Sequence, residues 1–369
     1  MSYRKKYKYS TTIAKPSGIG WKSIHGSQVW ISKLAISDVM DDRNSIKIKT
    51  PSLYGTGSSI VRSALNFMMQ LVYPSHQKYH IDWIVRIDQG LSREVFRADV
   101  IFQQNGIEQI ERFAVGIILN DAPEMVDRRI IKEQVLLQSI YKHVQFYSVP
   151  KPIGIIWQDG LLVTMTTFVL GHSIDFRTAK SRQKKPWEIV AKVAAETHKI
   201  PKSQLPTTIR YFPYWHDHII SEMNEFRKFS AVPQINCALS WIQDNLPESK
   251  ASVLVHSDLL GQNILETLDE EIYLIDWEYS FIGSPAYDLA IVTRGVKNPF
   301  KVSGGLDRLI DAYLQCGGQQ VTKKDVHIHE ILLNLGWYEI SLDRTRGGHA
   351  PEYYLEALER LLNRASKGG

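Results

Sequence analysis

Residues 253–265 read VLVHSDLLGQNIL and carry the most informative pattern of the chain. It places His256, Asp258 and Asn263 in the spacing His-x-Asp-x4-Asn between two apolar runs. A second segment, LIDWEY at 274–279, brings Asp276 and Glu278 shortly afterwards. Short apolar runs bounded by polar, turn-forming residues predict buried strands with polar side chains at their ends.

These polar residues have the chemistry that transfer of a γ-phosphoryl group requires. Such a transfer needs a carboxylate near the acceptor hydroxyl and oxygen ligands that hold Mg²⁺ on the phosphates. Asp258, on a loop after a strand, can accept the hydroxyl proton. Asn263 and Asp276, at the predicted hairpin, can present a carbonyl oxygen and a carboxylate to one metal ion. The purely structural alternative is a helix cap at Asp258, a turn at Asn263 and a strand end at Asp276.

The rest of the chain divides into a β-rich first part and a helical second part. Helical spacing of apolar residues is found at 58–72 and 126–142. Strand-like runs occur at 81–87, 95–103, 112–119, 152–157 and 161–167. After Gly171 the helical patterns are 187–198, 216–230, 235–245, 305–316, 326–345 and 352–365, with a single hairpin predicted at 263–275. This order predicts a two-lobed α+β fold.

The predicted division is an N-terminal extension of unknown role at 1–55, an N-lobe at 56–168 and a C-lobe at 169–369. Within the extension, only weak strand patterns occur, at 29–32 and 46–49.

Composition excludes several classes of protein. With 369 residues, 44% hydrophobic and 22% charged, the chain is typical of a globular enzyme rather than a disordered polymer. No run is long and apolar enough for a membrane helix, and no apolar signal segment follows the basic start. The net charge of +5 is too mild to indicate a nucleic-acid surface. We therefore expect a cytoplasmic protein, a monomer or homodimer, with Cys237 and Cys316 reduced.

The two quoted segments, together with SFIGSPAYDLA at 280–290, closely resemble the aminoglycoside phosphotransferase and choline kinase family. The resemblance implies a protein-kinase-like fold, Mg²⁺, ATP or GTP as phosphate donor, and a small-molecule acceptor. It matches Asp258 to the catalytic base, with His256 as a buttress of the same loop. It matches Asn263 and Asp276 to the metal ligands, Glu278 to an accompanying acid, and Asp288 to a structural brace.

The resemblance is weaker in the predicted N-lobe. Gly90 and Ser92 stand where the family has its phosphate-covering turn, although a plain hairpin turn fits the same residues. Glu133 matches the helix glutamate that normally pairs with a strand lysine. Thr167 and Val169 lie in the segment that would link the lobes and contact the nucleotide base.

The expected strand lysine is missing, because Gly116 stands at its position in 112–119. A neighbour such as Arg93, Arg112 or Lys132 could replace it, or the nucleotide could be bound differently. Gly116 therefore also motivates a second hypothesis, a nucleotide-binding pseudokinase that acts through a partner. A protein kinase proper is disfavoured, because no Asp-Phe-Gly and Ala-Pro-Glu pair is recognisable.

The acceptor is less constrained by the sequence. Aminoglycosides or other antibiotics, choline-like compounds and sugars are the candidate acceptors. Trp215, His216 and His218 are candidate residues for the acceptor pocket, and His198 is predicted to be a packed helix histidine.

Overall fold

The computed structural model of the protein describes residues 22–24, 27–31, 56–73, 78–89, 93–104, 106–118, 124–158, 161–174, 185–343 and 348–367. The predicted α+β architecture is confirmed, because a β-rich part precedes a mainly helical part along the chain. Within these ranges, no helix is both long enough and apolar enough to cross a membrane.

The first part is built on one antiparallel sheet. Its strands are β1 (Lys22–Ile24), β2 (Ser27–Ile31), β3 (Lys78–Gln89), β4 (Glu94–Gln104), β5 (Ile107–Ile118), β6 (Pro152–Gln158) and β7 (Leu161–Thr167). Their order across the sheet is β1-β2-β6-β7-β5-β4-β3. Strands β4 and β5 form a hairpin in which Gln104 lies opposite Ile107. All five predicted strands of this part are present.

The predicted strand at 29–32 overlaps β2, which joins the sheet beside β6, with Val29 opposite Ile156. Two strands of the N-terminal extension thus complete one side of the sheet. The other weak pattern, at 46–49, lies outside the described residues.

Two helices accompany the sheet. Helix α1 (Gly57–Val72) follows the predicted spacing, and its apolar face, including Leu65 and Met68, is buried in one core with Phe96 and Val115 of the sheet. Helix α2 (Glu124–Ile140) packs near β6 and β7, with Ile130 buried against Ile155 and Leu162. Helix α2 thereby carries Glu133 to the sheet.

The second part is mainly helical, as predicted. Its helices are α3 (Pro186–His198), α4 (Trp215–Phe226), α5 (Pro233–Asp244), α6 (Ala286–Thr293), α7 (Gly305–Gln315), α8 (Lys323–Ser341) and α9 (Pro351–Lys367). Local sequence features explain where several of these helices begin. Pro186 and Pro233 occupy the first turns of α3 and α5, and Thr322 and Asp325 form a reciprocal cap at the start of α8.

The prediction of a single hairpin in this second part was incomplete. Besides β10 (Ile264–Thr267) and β11 (Ile272–Leu274), there are β8 (Gly171–Ser173), β9 (Val253–Val255) and β12 (Phe281–Gly283). Strand β8 pairs with β10, and β9 pairs with β12. The apolar run of β9 was predicted as the strand before Asp258. Strands β8 and β12 were not predicted, because three residues are too few to show a period of two and their partners are distant in the sequence.

Candidate functional site

A cleft of about 690 Å³ is lined by residues from both parts of the chain. It brings together six of the predicted site residues: Glu133, Val169, Asp258, Asn263, Asp276 and Glu278. They come from helix α2, from the segment after β7, and from the loops around β9, β10 and β11. Residues distant in sequence therefore face one common space.

The loop that carries Asp258 follows β9, and its backbone is held by hydrogen bonds to Asp288. The buried Asp288 carboxylate accepts hydrogen bonds from the backbone N–H groups of His256 at 3.0 Å and Ser257 at 2.8 Å. His198 Nε2 lies 3.0 Å from the same carboxylate, and its Nδ1 lies 2.8 Å from the Tyr313 hydroxyl. Ser257 adopts a left-handed backbone with φ of 68°, a conformation unusual for a serine. These bonds explain how the sharp bend is maintained.

His256 supports this loop from within and does not line the cleft. Its side chain is fully buried, and Nε2 lies 3.0 Å from the carbonyl of Ile275. The backbone N–H of Asp258 donates to His256 Nδ1 at 3.2 Å, so Nδ1 acts as an acceptor. Burial lowers the pKa of His256, against the opposing charges of Asp288 and Asp258, which agrees with a neutral ring protonated on Nε2.

Asn263 connects the Asp258 loop to the hairpin. Its side-chain amide nitrogen donates to the Asp258 carboxylate at 2.7 Å and to the Asp258 carbonyl at 2.8 Å. The Asn263 carbonyl accepts from the backbone of Ile275 at 2.9 Å, which brings the next residue, Asp276, alongside. Because the amide nitrogen is engaged with Asp258, the side-chain oxygen of Asn263 lies on the opposite side of the amide group.

Asp276 and Glu278 follow β11 with side chains in the cleft. Asp276 has a φ of 67°, the second left-handed position in the site. Burial and the negative charge of Glu133 raise the pKa of Asp276 to about 7, against the lowering effect of Arg93. Glu278 is 4% exposed, and its buried Oε2 has no hydrogen-bond partner among the described residues. An unpaired buried carboxylate oxygen in a cleft is costly unless a cation or donor binds there.

Glu133 links the two parts of the chain. One of its carboxylate oxygens accepts from the backbone of Trp277 at 3.1 Å, next to Asp276. The other accepts from Arg93 Nη1 at 2.6 Å, and the side chains of Arg93 and Glu133 are only 16% and 4% exposed. The predicted glutamate thus has a basic partner, although Gly116 cannot supply one.

The other two candidate cations are engaged elsewhere. Arg112 Nε lies 3.6 Å from the Asp99 carboxylate, and Lys132 Nζ donates to the Ser280 carbonyl at 2.8 Å. Neither residue lines the cleft.

Some predicted residues are not among those that line the cleft. Gly90 and Ser92 lie outside the described residues. The hydroxyl of Thr167 accepts from the backbone of Lys151 at 2.9 Å, and Thr166 and Phe168 line the cleft instead. Conversely, Gln262 and Tyr279 line it and were not predicted. In the sequence, only their positions next to Asn263 and Glu278 could have indicated that they line the cleft.

The candidate acceptor residues are mostly packed into the interior. Trp215 is fully buried and donates from Nε1 to the Ala251 carbonyl at 3.2 Å. His218 is buried against Phe281, with ring centroids 4.6 Å apart. His216 is half-buried and stacks on Tyr214. The predicted packing of His198 is confirmed by its contacts with Asp288 and Tyr313.

Comparison with known proteins identifies the family of this chain. The sequence profile of the phosphotransferase enzyme family, APH, matches residues 82–320. That match spans well over half of the chain, so the chain belongs to the phosphotransferase enzyme family, as the motifs of 253–290 indicated.

Individual relatives are more distant. Protein LicA of Haemophilus influenzae (strain ATCC 51907 / DSM 11121 / KW20 / Rd) is 26% identical over 112 residues, which cover 29% of this chain and 40% of that protein. The chain therefore matches less than half the length of this curated relative.

Solved structures share the fold across most of the chain. A macrolide 2'-phosphotransferase type I superposes with a TM-score of 0.55 at 17% identity, covering 83% of this chain and 97% of the other. Macrolide 2'-phosphotransferase MphH from Brachybacterium faecium gives 0.56 at 19% identity, covering 80% and 97%. The GDP and kanamycin complex of APH(2")-IIia gives 0.56 at 13% identity, covering 82% and 98%. At these identities, the likeness concerns the fold.

Proposed function

We propose that this protein is an ATP- or GTP-dependent O-phosphotransferase that moves the γ-phosphate to a hydroxyl group of a small molecule. The observation that carries the proposal is the hydrogen-bonded group of Asp258 and Asn263 beside Asp276 in one cleft lined by both parts of the chain. Structural relatives captured with GDP and kanamycin support a nucleotide and a small-molecule acceptor as the two substrates.

Asp258 is the proposed base. Asn263 donates to one of its carboxylate oxygens, and Asp288 holds the backbone N–H groups of the two preceding residues, His256 and Ser257. A carboxylate oriented in this way can accept the proton of an acceptor hydroxyl as that oxygen attacks the γ-phosphorus. Positioning of the two substrates supplies much of the remaining rate enhancement.

The residues of the cleft fit a magnesium ion. Asn263, Asp276 and the unpaired oxygen of Glu278 are hard oxygen donors of the kind Mg²⁺ prefers. No group of three or more His, Cys, Asp or Glu residues within the described part of the chain is arranged to hold a metal by itself. Magnesium commonly uses one or two protein ligands together with substrate phosphates and water. When bound, it would neutralise phosphate charge.

The acceptor class in this proposal is an aminoglycoside or other antibiotic, a choline-like compound or a sugar. Three acidic side chains of α4 that could attract a cationic acceptor have partners within the protein. Asp217 caps α4, Glu222 lies 3.3 Å from His218, and Glu225 lies 3.5 Å from Arg210. A cytoplasmic location and a monomer or homodimer remain predictions.

The proposal is tested by the variant Asp258→Asn, assayed for transfer of labelled γ-phosphate to kanamycin, choline and simple sugars. We expect turnover to fall by about 10²–10⁴ with an acceptor that the wild type uses. Nucleotide affinity should change little, because the base acts on the acceptor. Near-normal turnover of the variant would refute the assignment of Asp258.

A further inference from the structure

Arg93 occupies the space that a side chain at Gly116 would need. Gly116 lies on β5, opposite Val95 of β4 on one side and Thr164 of β7 on the other. A Cβ atom built on Gly116 would lie 2.9 Å from Arg93 Cδ and 2.8 Å from Thr164 Oγ1. Both distances are below what real Cβ atoms show. Glycine at this position therefore allows the aliphatic stem of Arg93 to cross the strand.

The guanidinium of Arg93 lies beside Glu133, the residue with which the strand lysine of the family is expected to pair. It binds Glu133 through Nη1 at 2.6 Å and Nη2 at 3.3 Å, and Nη2 lies 4.0 Å from Asp276 Oδ1. Burial disfavours the charge of Arg93, but Glu133, with smaller contributions from Asp276 and Glu278, raises its pKa above the ordinary value. The group is therefore a permanent cation between the helix glutamate and the predicted metal ligand.

The acidic lining of the cleft favours a protein cation beside the nucleotide phosphates. Four acidic side chains line the cleft, those of Glu133, Asp258, Asp276 and Glu278. Among the described lining residues, Arg93 alone carries a positive charge. A nucleoside triphosphate is itself strongly anionic, so its phosphates would meet net repulsion without a protein cation to offset these carboxylates.

We propose that Arg93 is the phosphate-binding cation of this enzyme, supplied from the start of β4 in place of the lysine that β5 lacks. A guanidinium carries more N–H donors than the two it gives to Glu133, so others remain for phosphate oxygens. Glu133 orients the group, and Gly116 makes room for it. This inference rests on the proposed function, since it concerns the nucleotide of the same site.

The decisive variant is Arg93→Met, which keeps most of the stem and removes the charge. We expect ATP affinity in the presence of Mg²⁺, measured by calorimetry, to fall about ten- to hundred-fold. Binding of adenosine should change little, because adenosine carries no phosphate. The matched control is Arg86→Met, which removes a more exposed arginine that pairs with Glu94 at 2.9 Å on the neighbouring strand. That control should bind ATP like the wild type.

A relocation variant tests the geometry independently. Gly116→Lys alone should lower the melting temperature without improving ATP affinity, because the new side chain meets Arg93. In the double variant Arg93→Ala/Gly116→Lys, the Arg93 stem is gone, and the remaining close contact of the new Cβ, with Thr164 Oγ1, can be relieved by a change of the Thr164 rotamer. The lysine can then reach Glu133 from β5. We expect the double variant to recover at least tenfold in ATP affinity over Arg93→Ala.

The outcomes separate this inference from the proposed function. If the wild type binds ATP and Arg93→Met binds ATP equally well, Arg93 is not the phosphate-binding cation, while the proposed function stands. Equal losses for ATP and adenosine in Arg93→Met would reveal a structural role only and would likewise overturn the inference. A wild-type protein that binds no nucleotide would overturn both. If the double variant does not fold, Arg93→Met and its control still decide the question.

Discussion

Asp288 accepts three hydrogen bonds through one fully buried carboxylate, and each comes from a residue that shapes the site. Two of the donors are consecutive backbone N–H groups of the loop before Asp258. In the first turn of α6, the carboxylate also benefits from the positive end of the helix dipole. A side chain outside the cleft thus determines the conformation of the residues inside it.

We therefore expect Asp288→Ala to lower the free energy of unfolding by about 3 kcal/mol, because two buried N–H groups would lose their acceptor. Denaturation by urea, followed by circular dichroism, measures the change. The control is Asp307→Ala, an aspartate in the first turn of α7 whose half-exposed side chain pairs with Lys323. That change should cost no more than about 1 kcal/mol. Equal stabilities of the two variants would contradict the bracing role.

Asp276 gives a second prediction at the scale of single residues. Its carboxylate is one of the two charged donors, with that of Glu278, that the proposed site offers to the metal beside the neutral amide of Asn263. Asp276→Ala should abolish the magnesium dependence of ATP binding. Calorimetry of ATP with and without Mg²⁺ measures the effect, and Asp269→Ala, a change in the β10–β11 turn, is the control. The assignment is wrong if wild type and Asp276→Ala depend equally on magnesium.

At the level of secondary structure, strand β2 pairs with β6, which would otherwise be an edge strand of the sheet. It lies between β1 and β6, with Val29 opposite Ile156. Unpaired strand edges are prone to fraying and to association with other chains. The N-terminal extension thus has a structural effect, whatever further role it has.

The variant Val29→Pro tests this pairing, because proline removes a backbone donor and is poorly tolerated between two paired strands. We expect faster hydrogen exchange of the β6 amides at 152–158, measured by mass spectrometry. The β3 amides on the far side of the sheet should exchange at their usual rate and serve as the internal control. Unchanged exchange in β6 would mean that β2 does not stabilise this side of the sheet.

At the scale of the whole molecule, the two parts of the chain meet through helix α2. Glu133 accepts from the Trp277 backbone and Lys132 donates to the Ser280 carbonyl, so consecutive residues of α2 contact the segment that carries Asp276. The cleft between these contacts is lined from both sides. A ligand bound there would bridge the two parts of the molecule.

Nucleotide with magnesium should therefore raise the melting temperature of the wild type. At a ligand concentration of about 100 times Kd, the expected stabilisation is about 2.7 kcal/mol. Thermal shift with ATP or GTP, with and without Mg²⁺, measures it and compares the two donors. Removal of the metal with a chelator should abolish most of the shift. No shift with either nucleotide would contradict nucleotide binding in this cleft.

The position of Arg93 weakens the alternative hypothesis of a pseudokinase. That hypothesis was based on Gly116, which cannot supply the expected lysine. Arg93 occupies the space next to Gly116 and pairs with Glu133. Turnover with an accepted small molecule would exclude the alternative. Nucleotide-induced stabilisation without any phosphate transfer would favour it.

Eight of the nine α-helices that the structure describes were predictable from the sequence, as were most of the strands, the family and the main acidic residues of the cleft, whereas helix α6 was missed. These features depend on local information: the period of apolar residues, turn chemistry, and spacings such as that of Asp258 and Asn263, whose side chains bond directly. The short strands β8 and β12 were missed, because each spans only three residues and pairs with a strand distant in the sequence. The apolar run of β9 was predicted as the strand before Asp258.

The cation that pairs with Glu133 could not be predicted from the sequence and became evident from the packing of the sheet against α2. Arg93 and Glu133 are 40 residues apart, and Gly116 lies on another strand between them. Arg93, Arg112 and Lys132 were equally plausible from the sequence, because each lies near a strand or helix of the site. The direction of each side chain depends on how the sheet packs against α2. In the folded protein, Arg112 lies near Asp99 and Lys132 donates to the Ser280 carbonyl. The side chain of Arg93 therefore occupies the space next to Gly116.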